Sequence, residues 1–351
     1  MLSNSKWISA AAGVALAACA VASGAHAETK IGSTIDEIVE LAKQEPPVVI
    51  ATTWEGEIID AAKKGFKEKY GLDLEYVYVA GIDDRERILN EALSGLYDVD
   101  LVAVSGELRD KFVRADVIVP VDFLQLFPGI NKDIISPNSY FLGTGMNQFI
   151  IAYNSKLVSE ADAPKDWSDC VDPKWKEKIG VYTRPLGFIQ QYFSWGKDKS
   201  IEYHTALKAN EPVWTSSTNS TAALLASGEF SIVCGLHYHA VKNILREDPA
   251  APIKVIVPKL FPYQVGEALS VMKGGNSPNS AILLAGYLAT DGASIYDLFG
   301  RSNPMVEGTE AWTNAREAGA TPYWSGWDND GEAQAEAVKV IVETWGFPKA
   351  R

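Results

Sequence analysis

Val48-Val49-Ile50-Ala51-Thr52-Thr53 is an unbroken run of apolar and β-branched residues and reads as a buried strand. The pattern of the next fifty residues decides the fold. Glu57 to Tyr70 repeats apolar residues at helical spacing and stops at Gly71, and Leu72 to Ala80 alternates with period two. Asp84 to Leu93 returns to helical spacing, and Val99 to Val104 is another apolar strand. Alternation of this kind implies a largely parallel sheet covered by helices, in which ligands collect where loops leave the carboxyl ends of strands. The loops Thr53-Trp54-Glu55-Gly56 and Ser105-Gly106-Glu107 occupy that position.

A second series starts beyond the Pro and Gly punctuation between Pro128 and Gly145. Its strands read as Phe149 to Tyr153, Ile179 to Tyr182 and Phe230 to Leu236, separated by helical stretches at Phe188 to Trp195, Ile201 to Ala209 and Thr218 to Ser227. Ser216 and Ser217 are the capping residues of the last stretch. Helices at Ser280 to Ala289 and Glu332 to Trp345 close the chain, and no repeat of solenoid length interrupts it.

The length of 351 residues fits two domains, each large enough for its own core. A formal charge of -13 argues against a surface built to neutralise nucleic acid, which demands clustered Lys and Arg. Residues 1–27 hold no acidic residue and a single Lys, Lys6, ahead of a small apolar run, and Ala25-His26-Ala27 forms an A-x-A cleavage site. That is the pattern of a secretory signal peptide and implies an exported, acidic mature protein. A membrane span would need about 20 strongly apolar residues, and this run is mostly Ala and Gly. A rival cut exists, since Leu16-Ala17-Ala18-Cys19 is similar to a lipoprotein processing site that would acylate Cys19. After cleavage at Ala27 only Cys170 and Cys234 remain, and an oxidising compartment permits them to pair.

Four segments, taken in order, resemble the periplasmic solute-binding proteins of bacterial ABC importers, in the branch of ferric-ion, polyamine and thiamine binders. Phe149-Ile150-Ile151-Ala152-Tyr153-Asn154-Ser155-Lys156-Leu157 is similar to a family strand. Pro164-Lys165-Asp166-Trp167 with Asp172-Pro173-Lys174-Trp175-Lys176-Glu177-Lys178-Ile179 is similar to the segment after that strand. Leu224-Leu225-Ala226-Ser227-Gly228-Glu229 resembles the helix end leading to the ligand strand, and Lys273-Gly274-Gly275-Asn276-Ser277-Pro278 the turn before a long helix. The resemblance implies an α/β, two-lobed periplasmic-binding-protein fold of type II, each lobe a mainly parallel sheet flanked by helices and hinged by crossing strands. Lobe 1 would hold 28–145 and 270–320, and lobe 2 would hold 146–269 and 321–351. It also implies capture of a small solute by hinge closure and delivery to an inner-membrane ABC permease with its ATPase, by a periplasmic monomer that binds no nucleic acid.

The ferric binders carry two adjacent tyrosines after the strand that corresponds to Phe230–Leu236. Here Tyr238 matches the first and His239 replaces the second, so His237, Tyr238 and His239 are the candidate metal ligands. Trp54 and Glu55 beside Thr53 offer a stacking face and an anion. Ser105 and Glu107 stand in the equivalent loop of the next strand. Thr183 and Arg184 come directly after the strand at Ile179, placing a guanidinium to clamp a carboxylate or phosphate. Tyr263 and Glu267 lie near the return crossing, whereas Trp324, Trp327 and Asp328 read as local packing. The cargo is expected to be ferric iron or an iron complex, with a polyamine, a thiamine-like molecule or another small organic ion as the alternative. No cofactor is required for capture. The chain shows no G-x-S-x-G, H-E-x-x-H, P-loop or strand-linked G-x-G-x-x-G, so a periplasmic metal-dependent hydrolase is the rival of another class and no catalytic residues are assigned.

Overall fold

The computed structural model describes residues 30–54, 56–329 and 331–346. The expected leader, with both of its cleavage readings, lies outside the described residues. Strands run in the order β1 (Val48–Thr52), β2 (Leu74–Tyr78), β3 (Leu101–Val104), β4 (Ile118–Val119), β5 (Leu142–Asn154), β6 (Ile179–Tyr182), β7 (Val213–Thr215), β8 (Ile232–His237), β9 (Ile253–Ile256), β10 (Leu260–Met272) and β11 (Thr321–Tyr323). The helices are α1 (Ile35–Ala42), α2 (Glu57–Tyr70), α3 (Ile82–Leu93), α4 (Gly106–Arg114), α5 (Phe123–Leu126), α6 (Ile189–Trp195), α7 (Lys197–Ala209), α8 (Thr218–Ser227), α9 (Tyr238–Glu247), α10 (Pro278–Ala289), α11 (Glu310–Glu317) and α12 (Glu332–Trp345).

The local signals act as their chemistry requires. Helix α2 buries Ile58, Ile59, Ala62 and Phe66, carries Lys67 and Lys69 in its last turn, and ends where Gly71 adopts φ 75°, a left-handed conformation in which glycine has no Cβ to clash. Helix α8 starts at Ser217, whose side chain accepts from the Ser220 N–H. Helix α10 is buried along its whole length, so the Glu45 carboxylate satisfies its first N–H groups, those of Asn279 at 3.0 Å and Ser280 at 2.8 Å.

The strands lie in the order β2-β1-β3-β10-β5-β8-β6-β7, with β4 and β11 also on β10 and β9 on β5. On the first side β1 pairs in parallel with β2 and β3; on the second β6 pairs in parallel with β7 and β8. Between them run β5 and β10, 13 residues each and antiparallel to one another. Each serves both sides, since β10 gives Ala268–Val271 to β3, and β5 gives Phe149–Tyr153 to β8. The expected parallel sheets and crossing strands are therefore present. The strand expected at Phe149 begins earlier, at Leu142, because its first half crosses from the other side.

Apolar burial obeys the same division. One cluster gathers Ile50, Phe66, Leu101, Phe112 and Ile282 around the first sheet. Two others cover the faces of the second, around Trp167, Phe188 and Trp345 and around Phe230, Val241 and Phe261. Cys170 and Cys234 form a disulfide that ties a single-turn segment to β8 across 64 residues of sequence.

Candidate functional site

A cavity of about 690 Å³ opens between the two sides. Ser105, just before α4, and Arg109 within it face it from the first side, Asn147 and Gln264 to Gly266 come from the crossing strands, and Thr183 to Leu186 with Gln190 come from the second. Trp324, Ser325 and Asn329 close one end, and α12 adds an apolar wall through Val338 and Val342. Among the described residues lining it, the charged side chains are Arg109 and Arg184, and neither Asp nor Glu is present. In a protein of net charge -13, the described charged residues lining this cleft are thus cations. In a recess where water is partly excluded, such a field attracts anions more strongly than it would on an open surface.

The loop bearing Arg184 is fixed by backbone and packing. Thr183 gives both its N–H and its hydroxyl to the Thr215 carbonyl, each at 3.0 Å. Three residues beyond Arg184, Gly187 approaches β8 so closely that a Cβ there would stand 1.9 Å from the Gly235 carbonyl oxygen. Arg184 itself stays exposed to the cleft. Arg109 is buried, with its guanidinium carbon 4.8 Å from the centre of the Trp327 ring. Ser105, the residue before α4, has its buried hydroxyl without a partner, and the same holds for the Asn147 and Gln264 side-chain oxygens.

Trp54 and Thr53 are drawn away from the cleft by Glu267. A register shift on either side of Glu267 turns this residue of β10 toward β1. Its carboxylate accepts from Trp54 Nε1 at 2.6 Å, Thr52 Oγ1 at 3.1 Å and Thr53 Oγ1 at 3.3 Å. Trp54 is buried with its ring edge-on to Tyr296, so the expected stacking face is spent on packing. Glu55 lies outside the described residues, and Glu107 falls in the first turn of α4. Tyr263 is buried beside Trp324, and burial pushes its phenol well above the ordinary value.

His237, Tyr238 and His239, the expected metal ligands, are each engaged with neighbouring side chains. The Tyr238 hydroxyl donates to Glu310 Oε1 at 3.0 Å, the same oxygen that Lys242 holds at 2.6 Å. Burial first, then the Glu310 charge, raise this phenol. His237 packs edge-on to Phe149 at 4.7 Å and meets Thr218 Oγ1 through Nδ1 at 3.2 Å. Desolvation, then the positive charges of Arg301 and Arg184, push its imidazole down to about 3. His239 is lowered by the same kind of causes, desolvation leading. None of the three lines the cleft, and no group of three or more His, Cys, Asp or Glu among the described residues is placed to hold a metal ion.

Arg109, Gln190 and Trp324 are cleft residues that strand-end reasoning on the sequence does not reach. Trp324 lines the cavity rather than serving local packing alone, and Gln190 is a buried amide of α6 that faces it.

Two α/β halves, a pair of crossing strands and a polar crevice between them define a two-lobed solute-binding protein. A family description of bacterial extracellular solute-binding proteins matches residues 97–329, and the chain belongs to that family. It is a solute-binding protein of the ABC-importer type. No protein of curated function matches it in sequence. Solved structures share the fold across most of the chain. The Trichodesmium IdiA (FutA) protein in complex with iron and citrate ligands is similar at 17% identity, covering 85% of this chain and 99% of that one, with a TM-score of 0.67. Ferric iron-binding protein A of Mannheimia haemolytica, in an open conformation, is similar at 18% identity over 86% and 100% of the two chains, with a TM-score of 0.68. AfuA of Actinobacillus pleuropneumoniae, with exogenous fructose-6-phosphate bound, is similar at 17% identity over 86% and 97%, with a TM-score of 0.54. Among the described residues no helix is long and apolar enough to cross a membrane.

Proposed function

We propose that this protein is the monomeric periplasmic receptor of an ABC importer. It closes its halves on one solute bearing oxyanions and passes it unchanged to an inner-membrane permease with its ATPase. One observation carries the reading: a cleft of about 690 Å³ whose charged lining residues, among those described, are two arginines contributed from opposite sides. That volume suits a small molecule rather than a bare ion. Guanidinium groups recognise carboxylate and phosphate through paired, charge-assisted hydrogen bonds. They repel a polyamine, and among the described lining residues there is neither Asp nor Glu. Closure results because a ligand that touches both halves binds the shut form better than the open one.

Iron then enters as an anionic chelate that brings its own ligands, a reading supported by the absence among the described residues of any group of three or more His, Cys, Asp or Glu placed to hold a metal ion. The similarity in fold to a protein solved with iron and citrate supports this choice. A sugar phosphate is the second reading, favoured by the same arginine pair and by the fold shared with AfuA. Calorimetric titration with ferric citrate, citrate alone, fructose 6-phosphate and spermidine separates the cases. Binding of ferric citrate, with a raised unfolding temperature, is the expected result. Preference for fructose 6-phosphate transfers the cargo to the second reading, and binding of spermidine alone contradicts both.

A further inference from the structure

The stretch between β11 and α12 touches both sides of the cleft. Its anchor on the second side is the Ser325 N–H, which donates to Gln190 Oε1 at 2.8 Å, and the buried Gln190 belongs to α6. Its anchor on the first is Trp327. The indole Nε1–H donates to the Asp133 carbonyl at 3.0 Å, and the ring lies 4.8 Å from the Arg109 guanidinium. Trp324 stands between the two anchors, 5.3 Å from Trp327 and 6.3 Å from Tyr263 of the crossing strand. Beyond the crossing strands, this is a further bond between the halves, and it ends on a side chain that lines the cleft.

We propose that Trp327 is a positioning residue. Through Asp133 and Arg109 it latches the two halves together and holds the Arg109 guanidinium toward the solute, without touching the solute itself. The latching does not depend on what the cargo is; the effect on affinity rests on the reading of Arg109 as an anion contact. Stacking of a cation on indole and one hydrogen bond are worth enough to shift a two-state balance about tenfold. Opening this contact therefore admits the open form more often.

Spin labels at Lys64→Cys and Asp198→Cys, one on α2 and one on α7, report the separation of the halves with no solute present. The wild-type protein is expected to give one narrow distance, and Trp327→Ala a longer and broader distribution at unchanged circular dichroism. Trp327→Phe keeps a ring for the guanidinium and loses the N–H, so it should fall between the two; it also decides the matter if Trp327→Ala does not fold. With citrate as probe, Trp327→Ala should bind about tenfold more weakly through faster dissociation. A distance distribution identical in all three proteins overturns the proposal. Failure of citrate to bind the wild type would instead count against the anion reading, and the distances would still judge the latch.

Discussion

Strands β6 and β8 are neighbours and run parallel, with Ile179 opposite Ile232, yet their carboxyl ends meet different surroundings. Beyond β6, Thr183 and Arg184 emerge into the cleft. At the end of β8, His237 is paired in register with Phe149 of the crossing strand and packed on its ring, and the following Tyr238 is covered by Gly300 and Glu310. A strand end nominates a loop as a binding site; what later chain packs on top decides whether the loop is free to bind. The ferric-binder resemblance singled out the β8 end, and here the segment running from the single-turn residues 293–299 into α11 has claimed it.

Acid should reveal the contrast most strongly. Three imidazoles, His204, His237 and His239, are held neutral by burial, with His204 and His237 pushed down to about 3 from 6.5. Below pH 6.5 the unfolded chain takes up protons that the folded chain refuses, so stability is full above 6.5 and declines as pH falls toward 3. The slope is at most about 1.4 kcal/mol per pH unit for each imidazole. Thermal unfolding followed from pH 7.5 to 4.5 checks this, and an unfolding temperature flat across that range would show the β8 end to be open to water.

Next in size is the loss expected at the β6 end. Arg184→Ala should weaken binding of an anionic probe about 30-fold, the worth of a charge-assisted pair, and leave unfolding of the solute-free protein unchanged because the side chain is exposed. Calorimetry on both proteins measures it. Equal affinities would remove Arg184 from the site.

The smallest effect belongs to Tyr238. Tyr238→Phe removes the hydroxyl that donates to Glu310 and should cost about 1 kcal/mol of stability. Affinity and the visible spectrum of the iron-loaded protein should not move. Loss of a phenolate-to-iron absorption band in this variant would restore the β8 end as a metal site.

Where local pattern and tertiary demand agreed, the elements were legible at once. Helices α2, α8 and α12 and strand β6 occupy the residues that periodicity and caps indicate. The first half of β5, Leu142-Gly143-Thr144-Gly145-Met146-Asn147-Gln148, was not legible as a strand. Its glycines and polar residues carry no apolar alternation, and tertiary pairing, chiefly with β10, holds it extended. The site divides in the same way. Ser105, Thr183 and Arg184 come directly after strands and were within reach of a strand-end rule. Arg109 is a helical residue beyond such an end, and Gln190 and Trp324 arrive from chain far away in sequence, so only folding assembles them with the rest. Glu267 was legible as a residue of the crossing but not in its role, which depends on a bulge that turns it to Trp54.

Small-angle scattering with and without ferric citrate, on the wild-type protein and on an Arg109→Ala, Arg184→Ala double variant, tests most directly that an anion-bearing solute is caught between the halves. The account predicts a smaller radius of gyration for the loaded wild type and no change for the variant. Compaction that persists in the variant, or that spermidine produces and ferric citrate does not, would contradict it.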